Sequence, residues 1–278
     1  MPADPAGRRR ARWRAAAGLV APLLRGTALG LMQRRFYAAL YAFVPDDGPR
    51  FMNFGLAPVD PDLAGATESL QATLAQAVLE AGHAALGRDP GLLVDVACGR
   101  GGALALAARR FPEARLLGID QHGTALAVAR RGRALVAAAD GLALPLADGA
   151  ADLVVSVEAM LNLGRGRFLA EAARVLSPGG VVAGCGSFNG PPSALVAHLE
   201  REARQAGLVL LRVRDLTQGV VQACREDAPR RRGLLRRAPW PLRSRLAGFA
   251  ALPGSRTFRA YAEGARCYYL TILRRPAR

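Results

Sequence analysis

Three acidic residues, Asp95, Asp120 and Asp140, stand where successive apolar runs end or have just ended, and a glycine turn, Gly99-Arg100-Gly101-Gly102, follows the first. Asp120 lies 21 residues beyond Gly99, a spacing at which an acid hydrogen-bonds the two ribose hydroxyls of an adenosine group. Asp140 is placed to accept a hydrogen bond from an adenine amino group. The glycines let the backbone reverse and let a ligand approach the main chain closely. Asp95 separates one ligand from another. A dinucleotide would put its pyrophosphate at this turn, where a carboxylate repels it, and the dinucleotide fingerprint needs a glycine where Leu104 stands. A cationic ligand suits the place better, while NAD stays as the alternative, because Asp120 serves either ribose.

Positioning these acids requires strands that end beside one another. Leu92 to Arg109 reads as an apolar strand, the glycine turn and an alanine-rich helix. Strands are then predicted over Arg115–Ile119, Ala134–Ala138, Ala151–Val157 and Val181–Cys185, and helices over Ala125–Arg131 and Phe168–Leu176, with a tight turn at Ser177–Gly180. Upstream, apolar spacing predicts helices over Leu19–Phe43 and Thr67–Leu86, the second stopped by Gly87. Downstream come a helix over Ser193–Ala206, a strand over Leu208–Val213, a basic helical insert over Arg225–Arg245, a helix over Thr257–Ala265 and a closing strand over Arg266–Leu273. Such alternation predicts an α/β fold with a mainly parallel sheet, its ligands at the carboxyl ends of the strands. The two last strands are expected to form a terminal antiparallel pair.

Composition narrows the classes. Among 278 residues, 51% are hydrophobic and 22% charged, as in a globular protein. The formal charge of +16 comes from 38 arginines and no lysine, in an alanine-rich chain. That bias reads as a property of the source's nucleotide composition, so it argues only weakly for nucleic acid. The arginines of the insert are expected to form a solvated face. Cys98, Cys185, Cys224 and Cys267 make no metal-ligand pattern, which predicts a reduced, cytoplasmic protein with no metal. Arg8 to Arg14 precede an apolar run that Pro22 and Arg25 interrupt, a basic leader rather than a membrane span, and peripheral contact with anionic lipid stays open. Nothing bears on oligomeric state.

With these motifs in place, the chain resembles the class I S-adenosylmethionine-dependent methyltransferases. Val94-Asp-Val-Ala-Cys-Gly-Arg-Gly-Gly102 resembles their first motif, with Ala97 in place of a frequent glycine; Leu117-Gly-Ile-Asp120 the second; Ala139-Asp-Gly-Leu-Ala-Leu-Pro145 the adenine loop; Ala151-Asp-Leu-Val-Val-Ser-Val-Glu158 the strand beside the methyl group; and Leu176-Ser-Pro-Gly-Gly180 the turn before the fifth strand. The resemblance implies a Rossmann-like, doubly wound sheet, S-adenosyl-L-methionine as cofactor, and Asp95, Ala97, Cys98, Gly99, Gly101, Asp120, Gln121, Ala139, Asp140, Gly141 and Glu158 at its site.

Phe51-Met-Asn-Phe-Gly55, Val157-Glu-Ala159, Arg167-Phe-Leu-Ala-Glu171 and the pattern from Tyr261 to Tyr268 are similar to the phthiotriolone and phenolphthiotriolone dimycocerosate methyltransferases. That similarity implies O-methylation of a hydroxyl on a small-molecule or polyketide-lipid acceptor, with Tyr37 and Asn53 in a lid over the methionine end. It divides the chain into a basic leader and helical lid (1–60), a cofactor-binding core (61–214), a helical substrate-cap insert (215–262) and a closing strand (263–278). Where related enzymes often carry a histidine after Val-Glu-Ala, this chain has Met160-Leu161-Asn162. His83, His122 and His198 lie elsewhere, and Glu158 is the candidate catalytic group, as a base or as an orienting or structural group. A catalytically idle cofactor-binding relative, a nucleic-acid methyltransferase and an NAD-dependent oxidoreductase are the alternatives.

Overall fold

The computed structural model describes residues 36–38, 40, 41, 44–236 and 240–277. The leader, and most of the helix predicted over Leu19–Phe43, lie outside the described residues.

Long apolar runs build one seven-stranded sheet. β1 (Leu92–Val96), β2 (Arg115–Asp120), β3 (Leu135–Ala138), β4 (Ala151–Val157), β5 (Leu176–Asn189), β6 (Val209–Asp215) and β7 (Arg266–Arg274) lie in the order β3-β2-β1-β4-β5-β7-β6. β7 runs antiparallel to both its neighbours, and β1 to β5 pair in parallel. In β1 and β4, Leu93, Leu153 and Val155 face one apolar layer, whereas Val94, Val96 and Val154 face the other. A strand covered on both sides has no polar face to alternate with, which is why these runs read as continuously apolar. Chain order reverses between β1 and β4, so their carboxyl ends frame the crevice in which such sheets hold ligands.

Helices cover both faces: α1 (Ser69–Leu86), α2 (Gly102–Arg110), α3 (Gly123–Ala129), α4 (Met160–Leu163), α5 (Arg165–Val175), α6 (Pro192–Gln205), α7 (Thr217–Glu226), α8 (Ala228–Leu235), α9 (Trp240–Phe249) and α10 (Arg256–Ala262). Gly87 ends α1 in the left-handed conformation, its N–H reaching the His83 carbonyl at 2.9 Å. The predicted turn at Ser177–Gly180 does not precede β5 but bulges from it: Ala151 pairs with Leu176, and the next partner, of Leu153, is Val181. Helices α7 to α10 are inserted between β6 and β7, where the basic segment was expected.

The insert's arginines are not all solvated. Arg231 is 6% exposed and donates to Asp227, to the Ala250 carbonyl and to the Phe54 carbonyl. Asp227 is buried too, and it accepts from Gln71 of α1 at 2.8 Å. The expectation of a solvated face therefore fails at this residue, because a helical insert that folds back on the core must bury one of its sides.

Helix α1 crosses the sheet at Gly82, where an added Cβ would stand 2.8 Å from the Ala183 Cβ and 2.9 Å from a Leu153 methyl. Gly82→Val is expected to destabilise the protein by about 1–3 kcal/mol through overpacking. A lower urea midpoint at unchanged m value is the expected readout, and an unmoved midpoint would show that the helix can shift away at no cost.

Candidate functional site

The turn after β1 is held in the left-handed region at three places, Ala97 (φ 61°), Gly99 (φ 53°) and Gly101 (φ 77°). Alanine there carries strain of about 1–3 kcal/mol. The glycines leave room mainly for the chain's own aromatics. A Cβ on Gly99 would stand 2.9 Å from the Tyr41 hydroxyl, and one on Gly102 would stand 2.5 Å from the Phe51 ring. Behind them Arg100 is 2% exposed and donates to the Pro45 carbonyl at 2.6 Å and the Asp46 carbonyl at 2.9 Å, drawing the N-terminal segment over the turn.

A cavity of about 300 Å³ opens at the carboxyl ends of β1, β2 and β4. Of the residues expected at the site, Tyr37, Ala97, Asp120, Gln121, Ala139, Asp140, Gly141 and Glu158 line it. Asp95, Cys98, Gly99, Gly101 and Asn53 do not. Asp120 accepts from the Gly99 N–H at 2.9 Å and from the His122 N–H at 2.8 Å, one bond to each oxygen, so its carboxylate is fixed by backbone. Asp140 accepts from the Leu142 N–H at 3.0 Å in the loop after β3. Asn53 bonds the Gln71 carbonyl through its amide nitrogen and the Gly55 N–H through its oxygen, so both ends of its side chain brace the loop. The neighbouring Met52 reaches the cavity from that loop instead.

Asp95 lies beneath the turn, 3% exposed, in register with Gly118 of β2 and Val155 of β4. No described residue donates a hydrogen bond to it. Burial, and after it the charge of Asp120, push its carboxyl up to about 7.

Glu158 follows the last residue of β4 with φ 62°, a strained conformation, and its side chain forms part of the cavity wall. One carboxylate oxygen, Oε1, accepts both from the Phe54 N–H at 2.7 Å and from the Tyr268 hydroxyl at 2.8 Å. Burial raises this acid to about 7, opposed by those two donors and by Arg231.

Several lining residues were outside the sequence reading. Tyr41, within the helix predicted over Leu19–Phe43, lines the cavity beside His122, ring centroids 5.6 Å apart. In the segment that lacks the usual histidine, Leu161 is 44% exposed and points away, whereas Asn162 lines the cavity and donates to the Tyr37 hydroxyl at 3.3 Å. Asn162 lies in the short helix α4, and no motif in the sequence separates it from Leu161 beside it. Arg167, in the first turn of α5, stands exposed at the rim. Among the described residues, no group of three or more His, Cys, Asp or Glu side chains is placed to hold a metal ion.

Residues 94–184 match the methyltransferase domain family, the segment that carries β1 through most of β5. A demethylmenaquinone methyltransferase of Parafrankia sp. (strain EAN1pec) is 41% identical over 85 residues, which cover 30% of this chain and 34% of that protein. The match thus spans about a third of the relative's length. Similar solved structures include the geranyl diphosphate C-methyltransferase of Streptomyces coelicolor A3(2), at 21% identity, 80% and 91% coverage and a TM-score of 0.57. The [4+2]-cyclase SpnF matches at 23% identity, with 94% of each chain covered and a TM-score of 0.62. A putative sarcosine dimethylglycine methyltransferase of Galdieria sulphuraria matches at 17% identity, 87% and 98% coverage and a TM-score of 0.62. This chain has the Rossmann-like methyltransferase fold, and the family's cofactor is S-adenosyl-L-methionine.

The residues present fit that cofactor. Asp120, fixed by two backbone amides, and Asp140 are separate acceptors in the cavity wall, of the kind hydroxyl and amino groups need, and acids outnumber cations there.

The buried acid under the turn makes the protein's stability depend on pH. The folded state holds the Asp95 proton more tightly than the unfolded state, raising the group from 3.8 to about 7. Its stabilising contribution is full below about pH 4 and is lost as pH rises to about 7. Thermal midpoints measured from pH 4 to 8 are expected to fall for the wild type relative to Asp95→Asn, and parallel curves would refute the assignment.

Proposed function

We propose that the chain is an S-adenosylmethionine-dependent methyltransferase whose acceptor is a small molecule or a polyketide-derived lipid, with a hydroxyl oxygen as nucleophile. The observation that carries the reading is the convergence of Asp120, Asp140 and Glu158 on one cavity at the sheet's switch point. The motifs shared with the phthiotriolone and phenolphthiotriolone enzymes support the choice of acceptor and of oxygen.

When bound, S-adenosylmethionine supplies a methyl group from a cationic sulfonium and becomes a neutral thioether, which leaves the acceptor's proton for the protein to handle. Asp120 holds the ribose hydroxyls and Asp140 the adenine amino group. Tyr37, latched to Asn162, and Met52 form a lid that keeps water from the methionine end. Glu158, titrating near neutrality, takes the acceptor's proton. Residues 1–60 serve as leader and lid, 61–214 as the cofactor core, and 263–278 as the closing strand. Residues 215–262 cap the acceptor, tied to the lid through Arg231 and the Phe54 carbonyl. No helix among the described residues is long and apolar enough to cross a membrane.

Calorimetry is expected to show binding of S-adenosylmethionine and S-adenosylhomocysteine, weakened about 10- to 100-fold in Asp120→Asn through loss of a charged hydrogen-bond acceptor. Thermal stabilisation by NADH with none by S-adenosylhomocysteine would overturn the reading. Methyl-labelled cofactor incubated with extracted metabolites is expected to label a hydroxylated product. Cofactor binding without transfer to any of them would mark the chain as an idle relative.

A further inference from the structure

We infer that Tyr268 is the positioning residue of this site: with the Phe54 amide it holds Glu158 by one carboxylate oxygen and leaves the other presented to the acceptor. The inference rests on the reading of Glu158 as the group that takes the acceptor's proton.

Both printed donors converge on Oε1, at 2.7 Å from the Phe54 nitrogen and 2.8 Å from the Tyr268 hydroxyl. Among the described residues Oε2 has no hydrogen-bond partner, although Glu158 forms part of the cavity wall. A carboxylate held by one oxygen cannot rotate about its last bond without breaking a donor contact, so the second oxygen keeps its direction. Tyr268 is itself fixed. It is fully buried in β7, with its ring 6.1 Å from that of Phe54 and 6.3 Å from that of Tyr261. Its hydroxyl has one proton to give and gives it to Glu158, which leaves its oxygen free to accept from the Cys185 thiol at 3.3 Å. Burial pushes that thiol up to about 12, so it keeps the proton it donates. The Glu158 backbone N–H in turn reaches the Cys185 carbonyl at 3.0 Å, so main chain and side chain are braced against the same residue of β5.

The groups facing Glu158 electrostatically are Tyr37 from the N-terminal segment, Cys185 of β5, Cys224 of α7, Arg231 of α8, Tyr261 of α10 and Tyr268 of β7. Only Arg231 among them is charged near neutral pH, and its guanidinium is held by Asp227. Hydrogen bonds therefore carry most of the opposition to burial at this acid, and the Tyr268 hydroxyl is the one that a side-chain change can remove. Phenylalanine fills the same space without the donor.

The protein has nine glutamates, so labelling their side-chain carboxyl carbons with ¹³C gives a spectrum in which Glu158 is assigned by its loss in Glu158→Gln. Its titration midpoint is expected near pH 7 in the wild type and about one pH unit higher in Tyr268→Phe, the size expected for one lost hydrogen bond to a carboxylate. Tyr261→Phe serves as the control, since that hydroxyl bonds Ser187, and its midpoint is expected to match the wild type. An unmoved midpoint in Tyr268→Phe, or an equal shift in both variants, would overturn the inference, because a structural role lowers the melting temperature without moving the Glu158 titration. Undiminished methyl transfer by Glu158→Gln would instead remove the proton-acceptor reading and leave the titration result intact.

Discussion

The hydrogen bond from the Gly99 N–H to the Asp120 carboxylate joins the turn after β1 to the end of β2. Its partner bond, from the His122 N–H, fixes the other oxygen. Together they decide where the strand ends stand relative to one another, and therefore where a cavity opens between them. A carboxylate spends two acceptor sites on backbone and keeps its remaining lone pairs for a ligand. Preorganisation of this kind lowers the ordering cost of binding, since the acceptor is already aimed before the ligand arrives.

That arrangement is costly elsewhere. Asp95 is buried beside the Asp120 charge with no donor among the described residues, Ala97 and Glu158 sit at positive φ, and Glu158 is raised to about neutrality by desolvation. Each works against folding. The apolar layers on both faces of the sheet offset these terms, and the strain lies at the carboxyl ends of the strands, as expected where a site's geometry outranks local stability. The aromatics closing on the glycine turn make the same point: Tyr41 and Phe51 approach Gly99 and Gly102 so closely that a side chain at either place would displace them.

The N-terminal segment, the insert between β6 and β7, and α1 meet at one peptide segment. Phe54 gives its N–H to Glu158 and its carbonyl to Arg231, while Arg231 and Gln71 share the buried Asp227. A buried ion pair is a weak source of stability but a strong constraint on geometry when every donor finds an acceptor. Here it ties α8 of the insert to α1 beside the loop that carries Met52 and Phe54, so a disturbance of the insert is carried to Glu158.

Local chemistry made much of this legible in advance. Apolar runs broken by glycine, proline and aspartate located β1 to β4, β6 and β7 to within a few residues but only the middle of β5, and the alternation of strand with helix implied parallel pairing, because a crossover helix leaves the chain running in the same direction. The acids at the ends of apolar runs marked Asp95, Asp120 and Asp140, and the resemblance added Glu158; Asp120, Asp140 and Glu158 line the cavity, whereas Asp95 lies within β1 and is buried beneath the turn. What only the tertiary structure decided were contacts between segments far apart in the chain. That Asn53 braces its own loop, that Asn162 rather than Leu161 faces the cavity, that Arg231 leaves solvent for the Phe54 carbonyl, and that Tyr268 reaches Glu158 from 110 residues away all depend on how helices dock and how β7 is registered. Side-chain identity sets what a residue can bond. The packing of distant elements sets which partner comes within reach.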